Sequence, residues 1–285
     1  MIRRPLAAAV LGLCGLGAVA CGGTAVSGAA ASGPSTPPSA PASREVPASG
    51  GAADSARTAS TSSAPAKPLA GKVVVIDPGH NGGNYRHPEI INRQVDILTE
   101  KKACDTTGTS TNDGYAEAAF TWDVSSRLAK LLRAQGATVK LTRTGNTGVG
   151  PCITQRAAIG NRAKADAAIS IHADGAPSAA HGFHVIMPKK IHGPVDPVVA
   201  GSRRLGITVR DAFHAGTGIA YSTYIGTNAL NYRSDLGGLN LSTVPKIFIE
   251  CGNMRNAGDA AKFKDPRFRQ RIAVSLAKGL QSYLR

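Results

Sequence analysis

Acidic residues are scarce in this chain: 18 Asp and Glu stand against 33 Lys and Arg, for a formal net charge of +15 over 285 residues. Such a balance draws a protein to anionic surfaces such as cell-wall polymers or lipid head groups. Nucleic acid is set aside as a partner, because no nucleic-acid-binding motif accompanies the charge. Long apolar runs are missing too. The one near the start, from Leu6 to Ala20, is too short to span a bilayer comfortably, which excludes an ordinary transmembrane helix there. Internal repeats are absent, so a solenoid or propeller is excluded.

What the opening does contain is a short positive segment, Met1-Ile2-Arg3-Arg4, ahead of that apolar run. This is the layout of an export signal. It ends in Ala18-Val19-Ala20-Cys21-Gly22, which resembles the lipobox of bacterial lipoproteins, where the cysteine is lipidated and becomes the new N-terminus. Ala18 stands where leucine is usual, and plain signal cleavage is the alternative. Residues 1–21 are therefore read as a leader with Cys21 as the lipidation candidate. The mature protein is placed in the cell envelope, lipid-anchored on the outer face of the cytoplasmic membrane or otherwise secreted. From residue 22 to 68 the chain is nearly all Ala, Gly, Ser, Thr and Pro, with almost no large apolar side chains. Burial there cannot offset conformational entropy, so an extended, disordered tether is expected. Residues 69–285 remain, enough for one domain with a sizeable core.

Cysteine is sparse, with 5 in all. Cys104 and Cys152 lie in loop-like sequence, and an oxidising compartment would join them as a disulfide. Cys251, in the apolar run Ile247-Phe248-Ile249-Glu250-Cys251, is expected to be a buried free thiol.

Within the domain, Val73-Val74-Val75-Ile76 reads as a strand buried on both faces, ended by Asp77-Pro78-Gly79. Residues 137–144, 167–172, 182–187 and 246–251 read as further strands. Helices are predicted over 115–135, 154–164, 197–213 and the C-terminal stretch. The 115–135 helix carries Phe120, Val124, Leu128 and Leu131 on one stripe, with Asn112 or Asp113 as its cap and Gly136 as its stop. Phe268, Ile272, Leu276, Leu280 and Leu284 mark the last helix. Strands alternating with helices predict an α/β fold: a single domain with a twisted, mostly parallel mixed sheet and helices on both faces. Residues 81–114 fit no element, which suggests a functional or disulfide-pinned excursion.

His80 and His172 each stand just past an apolar strand, where open α/β sheets place their ligands. Glu250 ends a third such run. Glu117, three residues before Phe120, points inward on the apolar stripe or else complements the helix N-terminus. Two neutral imidazoles with one carboxylate form the His2Glu set of a catalytic zinc site, its fourth position left to water. A second carboxylate would then supply the general base. Asp77 and Asp174 flank the histidines, as imidazole-orienting groups or turn caps. His184, on a strand leaving the His172 region, is a candidate to stand behind the site or face substrate. A thiol nucleophile at Cys251 is disfavoured, because adjacent strand residues face opposite ways.

Ile76-Asp77-Pro78-Gly79-His80, Glu117 on its helix, Ser170-Ile171-His172-Ala173-Asp174 and Ile249-Glu250-Cys251-Gly252-Asn253-Met254 together resemble the zinc-dependent N-acetylmuramoyl-L-alanine amidases of the type-3 class. Arg156, Asn161 and Ser234-Asp235-Leu236-Gly237-Gly238-Leu239-Asn240 fit as well, and the resemblance spans Gly71 to Arg285. It implies a phosphorylase/hydrolase-like, zinc-exopeptidase-like fold and one zinc ion held by His80, Glu117 and His172. It also implies Glu250 as catalytic general base, with zinc-bound water attacking the amide between N-acetylmuramic acid and L-alanine in peptidoglycan. Cys251 departs from the small or aliphatic residue often found after that glutamate. A monomer acting on peptidoglycan or muropeptides is expected. Two other classes stay open: a zinc peptidase cutting elsewhere in the stem peptide, and a non-catalytic wall-binding or activator protein on the same fold.

Overall fold

The computed structural model of the chain describes residues 67–285; the expected leader, Cys21 and the tether up to residue 66 lie outside the described residues. β1 (Val73–Pro78) occupies the interior of a 6-stranded sheet of order β4-β1-β5-β8-β6-β7. Its β-branched residues suit a strand covered on both faces. β4 (Thr138–Leu141) and β5 (Ala167–Asp174) flank it in parallel, and β8 (Lys246–Asn253) continues the parallel set beyond β5. β6 (His184–Pro188) runs antiparallel to β8 and carries β7 (Leu230–Arg233) alongside it. The sheet is thus mixed and mostly parallel.

Side chains alternate between two unlike faces, as the pleat requires. Val74 and Ile76, Ile169 and Ile171, Ile247, Ile249 and Cys251 enter one large apolar core. It is closed by α2 (Glu117–Ala134), α4 (Val199–Thr217) and α7 (Pro266–Leu284). Phe120, Val124, Leu128 and Leu132 of α2 are fully buried there, as are Ile272, Leu276 and Leu280 of α7. On the other face the small cluster of Val75, Ala165, Ala168 and Val244 packs with Ile159 of α3 (Ile153–Arg162). The same face also carries Asp77, Ser170, Lys246, Phe248, His172 and Glu250, so the polar chemistry collects on it.

Residues 81–114 are folded. They contain a 3-10 turn over Asn84–Arg86, α1 (Pro88–Ile91) and a hairpin of β2 (Gln94–Asp96) and β3 (Lys101–Ala103). Ile97 at the hairpin end is fully buried. The segment is pinned by the Cys104–Cys152 disulfide across a sequence separation of 48. Short elements of this kind carry too few residues for a periodic signal. The same holds for β7, for α5 (Gly237–Asn240) and for α6 (Ala257–Lys264), none of which the sequence reading separates.

The start of α2 differs from expectation. Its N-cap is Ala116, with no side-chain cap, and Glu117 is the first helical residue. Asp113 instead accepts from Thr111 Oγ1 at 2.5 Å and pairs with Lys264. The Glu117 N–H donates to the Thr109 carbonyl at 2.9 Å, which ties the helix start to the preceding loop without a cap. Among the described residues no helix is long and apolar enough to cross a membrane.

A bridge closing a loop of this length removes conformational freedom from the unfolded chain. Replacing both Cys104 and Cys152 by serine is expected to lower stability by about 2–4 kcal/mol. The check is a urea unfolding curve of the variant against the oxidised parent; coincident midpoints would contradict it.

Candidate metal centre

The turn after β1 is held by two buried arginines. Arg156 of α3 donates to the carbonyl oxygens of Pro78 (2.8 Å) and His80 (2.9 Å). Arg143 donates to those of Pro78 (3.0 Å) and Gly79 (3.3 Å), and Thr121 Oγ1 of α2 also reaches Gly79 (2.8 Å). His80 itself sits at φ 57°, in the left-handed region that a side chain disfavours. Such a conformation persists only where its surroundings over-determine it, and the guanidinium bonds do that here. Gly79 is required by packing: a Cβ there would fall 2.3 Å from Cε1 of His172.

The charges around this turn nearly balance. Arg156 pairs with Asp77 and Asp105, each at 2.9 Å, and Asp77 also meets Lys246 at 3.1 Å. Thr142 Oγ1 (2.6 Å) and Ser170 Oγ (2.9 Å) donate to the same Asp77 carboxylate. Burial alone would raise the Asp77 pKa, but Lys246 and Arg156 outweigh it and hold the carboxyl far below its ordinary range. Arg143 is the surplus cation. Its 6 hydrogen bonds go only to carbonyl, amide and hydroxyl oxygens, including Ala118 O and Thr121 Oγ1 of α2. Burial and the nearby Arg156 push its pKa down to about 9, so it remains charged at neutral pH.

Around the turn, His80, Glu117 and His172 offer ligand atoms that all lie within 4.8 Å of one another. His80 Nε2 is 3.2 Å from Glu117 Oε2, and His172 Nδ1 is 3.0 Å from Glu117 Oε1. His80 Nδ1 lies 3.1 Å from the Thr106 carbonyl and 3.4 Å from Asp105, acceptors that leave Nε2 turned toward Glu117. The His172 ring stacks on Phe248 at 5.3 Å. Glu117 also accepts from the backbone N–H groups of Thr109 (2.9 Å) and Ala173 (3.2 Å). Burial opposes charge on both groups, yet each prevails over it. Glu117 and Asp105 lift the His80 imidazole well above its ordinary pKa, and the two imidazoles pull the Glu117 carboxyl well below. Two imidazoles and a carboxylate aimed at one point form a donor set that suits zinc.

Glu250 stands beside this cluster, in register with His172 across β5 and β8. Its Oε2 is buried and has no hydrogen-bond partner among the described residues. Burial first, then the Glu117 and Asp174 carboxylates, raise its pKa well above the ordinary carboxyl value. A cavity of about 310 Å³ is lined by His80, Glu117, His172, Glu250, Asp174 and Arg233, among others. Cys251 points into the apolar core, where burial pushes its thiol pKa far up, so it takes no part in this cavity.

Three other candidates are placed elsewhere than the imidazoles. Asp77 bonds Arg156, Lys246, Thr142 and Ser170. Asp174 accepts from the Tyr224 hydroxyl at 3.0 Å and from the Gly175 N–H at 2.7 Å. Neither carboxylate bonds a histidine among the described residues; Asp105 is the one that faces His80. His184 pairs with Glu250 in register across β6 and β8, is buried, and has its pKa pushed down to about 4 by that burial. Asp105, Arg143 and Arg233 escaped the sequence reading. The disulfide beside Asp105 was the one signal that could have drawn attention to it.

A largely enclosed His-Glu-His cluster with a second carboxylate at its edge, on a mostly parallel sheet, is a residue set that could hold a metal ion for hydrolysis. Comparison with known proteins gives the family. The profile of the family described as N-acetylmuramoyl-L-alanine amidase matches residues 74–282. N-acetylmuramoyl-L-alanine amidase Rv3717 of Mycobacterium tuberculosis is 41% identical over 233 residues, covering 80% of this chain and 94% of that protein. The probable cell wall amidase LytH of Staphylococcus aureus is 30% identical over 220 residues, 76% of this chain, and the chain spans 60% of its length. The crystal structure of the amidase Ami1 from Mycobacterium smegmatis superposes with a TM-score of 0.72 at 40% identity, covering 76% of this chain and 98% of that one. The chain belongs to the N-acetylmuramoyl-L-alanine amidase family.

Two outcomes follow from the geometry of the turn. Asp77→Asn leaves Arg156 and Lys246 without their shared carboxylate and is expected to cost about 3–5 kcal/mol. Because the native Asp77 pKa is depressed, its contribution is complete above the unfolded carboxyl pKa of about 4 and fades as pH falls below it. Urea midpoints measured from pH 7 down to pH 3 should therefore fall less steeply in the variant; parallel curves would contradict the assignment. Arg143→Met leaves Thr121 as the remaining tie between the His80 turn and α2 and should weaken affinity for a metal at the cluster by about 10–100-fold, read by competition with a chelator.

Proposed function

We propose that this chain hydrolyses the amide between N-acetylmuramic acid and the L-alanine of peptidoglycan stem peptides, with one zinc ion held by His80, Glu117 and His172. The observation that carries this reading is the convergence of those three side chains beside a buried, unpartnered Glu250 oxygen. Zinc held there supplies a Lewis acid that polarises the scissile carbonyl and acidifies water. Glu250 accepts the proton of the attacking water and returns it to the leaving amine of L-alanine. Burial and the neighbouring carboxylates raise its proton affinity, which suits a group that takes up a proton and holds it for the leaving amine. Asp105 and the Thr106 carbonyl hold the Nδ1 side of His80, which reserves Nε2 for the metal. Phe248 keeps the His172 ring in its plane and walls water from one side of the cluster.

The reading extends to place. An export leader would deliver the chain to the envelope, Cys21 would anchor it there by lipid, and the 22–68 stretch would let a monomeric domain reach the wall. The basic charge favours attraction to that anionic matrix.

Digestion of defined muropeptides with and without a chelator tests the reaction. Mass spectrometry should find intact stem peptides with a free L-alanine amine, and only when metal is present. Cleavage at another stem-peptide bond would indicate the peptidase alternative. Glu250→Ala is expected to keep stoichiometric zinc and lose nearly all hydrolysis, whereas His80→Ala should lose both. Full activity in the first variant would remove Glu250 from its role.

A further inference from the structure

The two cavities beside the metal cluster are unlike. His80, His172, Leu236 and Phe248 border both. The larger, about 370 Å³, runs past Ile153 and Ala103 and does not include Glu250. The smaller, about 310 Å³, contains Glu250 and the side chain of Arg233. If Glu250 returns the proton to the leaving amine, that amine and the peptide attached to it occupy the Glu250 cavity. The inference below rests on that part of the proposed function.

Arg233 ends β7, the outermost strand, and lies in register with Pro188 of β6. Asp235 holds one edge of its guanidinium, accepting from Nε at 2.8 Å and from Nη2 at 2.6 Å. Lys102 Nζ of β3 reaches the same carboxylate at 3.2 Å, so one anion serves two cations. Arg233 Nη1 has no hydrogen bond among the described residues. The fork is therefore fixed along one edge and open along the other, and the side chain lines the cavity that receives the leaving peptide. Of the three carboxylates lining that cavity, Glu117 is engaged by both histidines, Asp174 is engaged by Tyr224 and Gly175, and Glu250 makes no ion pair with Arg233, whose carboxylate partner among the described residues is Asp235. A planar, part-desolvated guanidinium with unspent donors is suited to a carboxylate from the ligand.

We propose that Arg233, oriented by Asp235, forms an anion-binding subsite on the leaving-peptide side of the scissile bond. It would read a free carboxylate on the residue after the L-alanine. That residue in stem peptides is a glutamate whose α-carboxyl occurs either free or as a carboxamide. The subsite distinguishes the two, because only the free acid completes an ion pair with the open edge of the fork.

The test compares N-acetylmuramoyl-L-alanyl-D-glutamate with its isoglutamine counterpart, using the zinc-loaded full chain. The parent should favour the acid in kcat/KM by about tenfold or more, chiefly through KM. In Arg233→Gln that ratio should fall to about one, and Arg233→Lys should restore part of it. A parent ratio near one, or a variant that loses activity on both substrates with the ratio intact, would overturn the subsite. Calorimetry with L-alanyl-D-glutamate and L-alanyl-D-isoglutamine is read separately from turnover. Preference for the acid dipeptide in the parent, abolished in Arg233→Gln, supports the subsite; equal binding of both overturns it. Failure of the parent to cleave either muropeptide would instead count against the proposed reaction.

Discussion

The grouping of His80, Glu117 and His172 depends on keeping one short turn in a shape its backbone would not choose. A left-handed residue with a side chain costs on the order of 1–3 kcal/mol. Hydrogen bonds to a charged group are worth about 1.5–3 kcal/mol each, and Arg143 and Arg156 together supply several to Pro78, Gly79 and His80. The grip therefore outweighs the strain. Guanidinium suits the task because its donors lie in a rigid plane and can hold several carbonyl oxygens at once. The same arginines bond outward, Arg156 to Asp105 and Arg143 to the first turn of α2. The position of His80 is thereby fixed relative to the loop behind it and to the helix that begins with Glu117.

The division of the sheet into an apolar and a polar face explains how a charged site can exist beside a large core. α2, α4 and α7 cover one face with aliphatic side chains. On the other face, Asp77 and Asp105 offset Arg156 and Lys246, so most of the buried charge is compensated within a small volume. Glu250 lies at the edge of this balanced layer without an ion-pair partner. Burial with no compensating cation in contact raises its proton affinity, whereas the two imidazoles lower that of Glu117. Two carboxylates in one cavity are thus driven apart in pKa, which suits one to hold a metal and the other to carry a proton.

Much of this was legible in the sequence because it rests on long periodic or apolar segments. The runs around Val73, Ile169 and Ile247 announce strands, and the stripes of α2 and α7 announce helices. His80, Glu117, His172 and Glu250 stand out because each is a polar residue at the end or on the inner face of such an element. The rest depends on contacts between distant, short pieces. The antiparallel direction of β6 leaves no trace in five residues that read the same either way. Arg143 lies between two threonines, and nothing local shows that its bonds go to the turn after β1. Asp105 takes the place expected of Asp77: the nearer in sequence to His80 bonds only within the buried ion layer, and the one brought in through the loop beside the disulfide pairs with Arg156 and also faces the imidazole. Asn112 and Asp113 have the right chemistry for a cap, yet α2 starts beyond them, because the chain from Thr109 to Ala116 pairs with itself first.

β8 separates two environments within a single peptide unit, with Glu250 on the side of the cavity and Cys251 sealed in the core. The thiol is fully buried, so a soluble alkylating reagent has no path to it while the centre of the sheet stays closed. Its labelling rate would then measure how often that centre opens, the slowest of the local fluctuations. Cys251 is in effect an internal clock for unfolding of the strand that also carries Glu250.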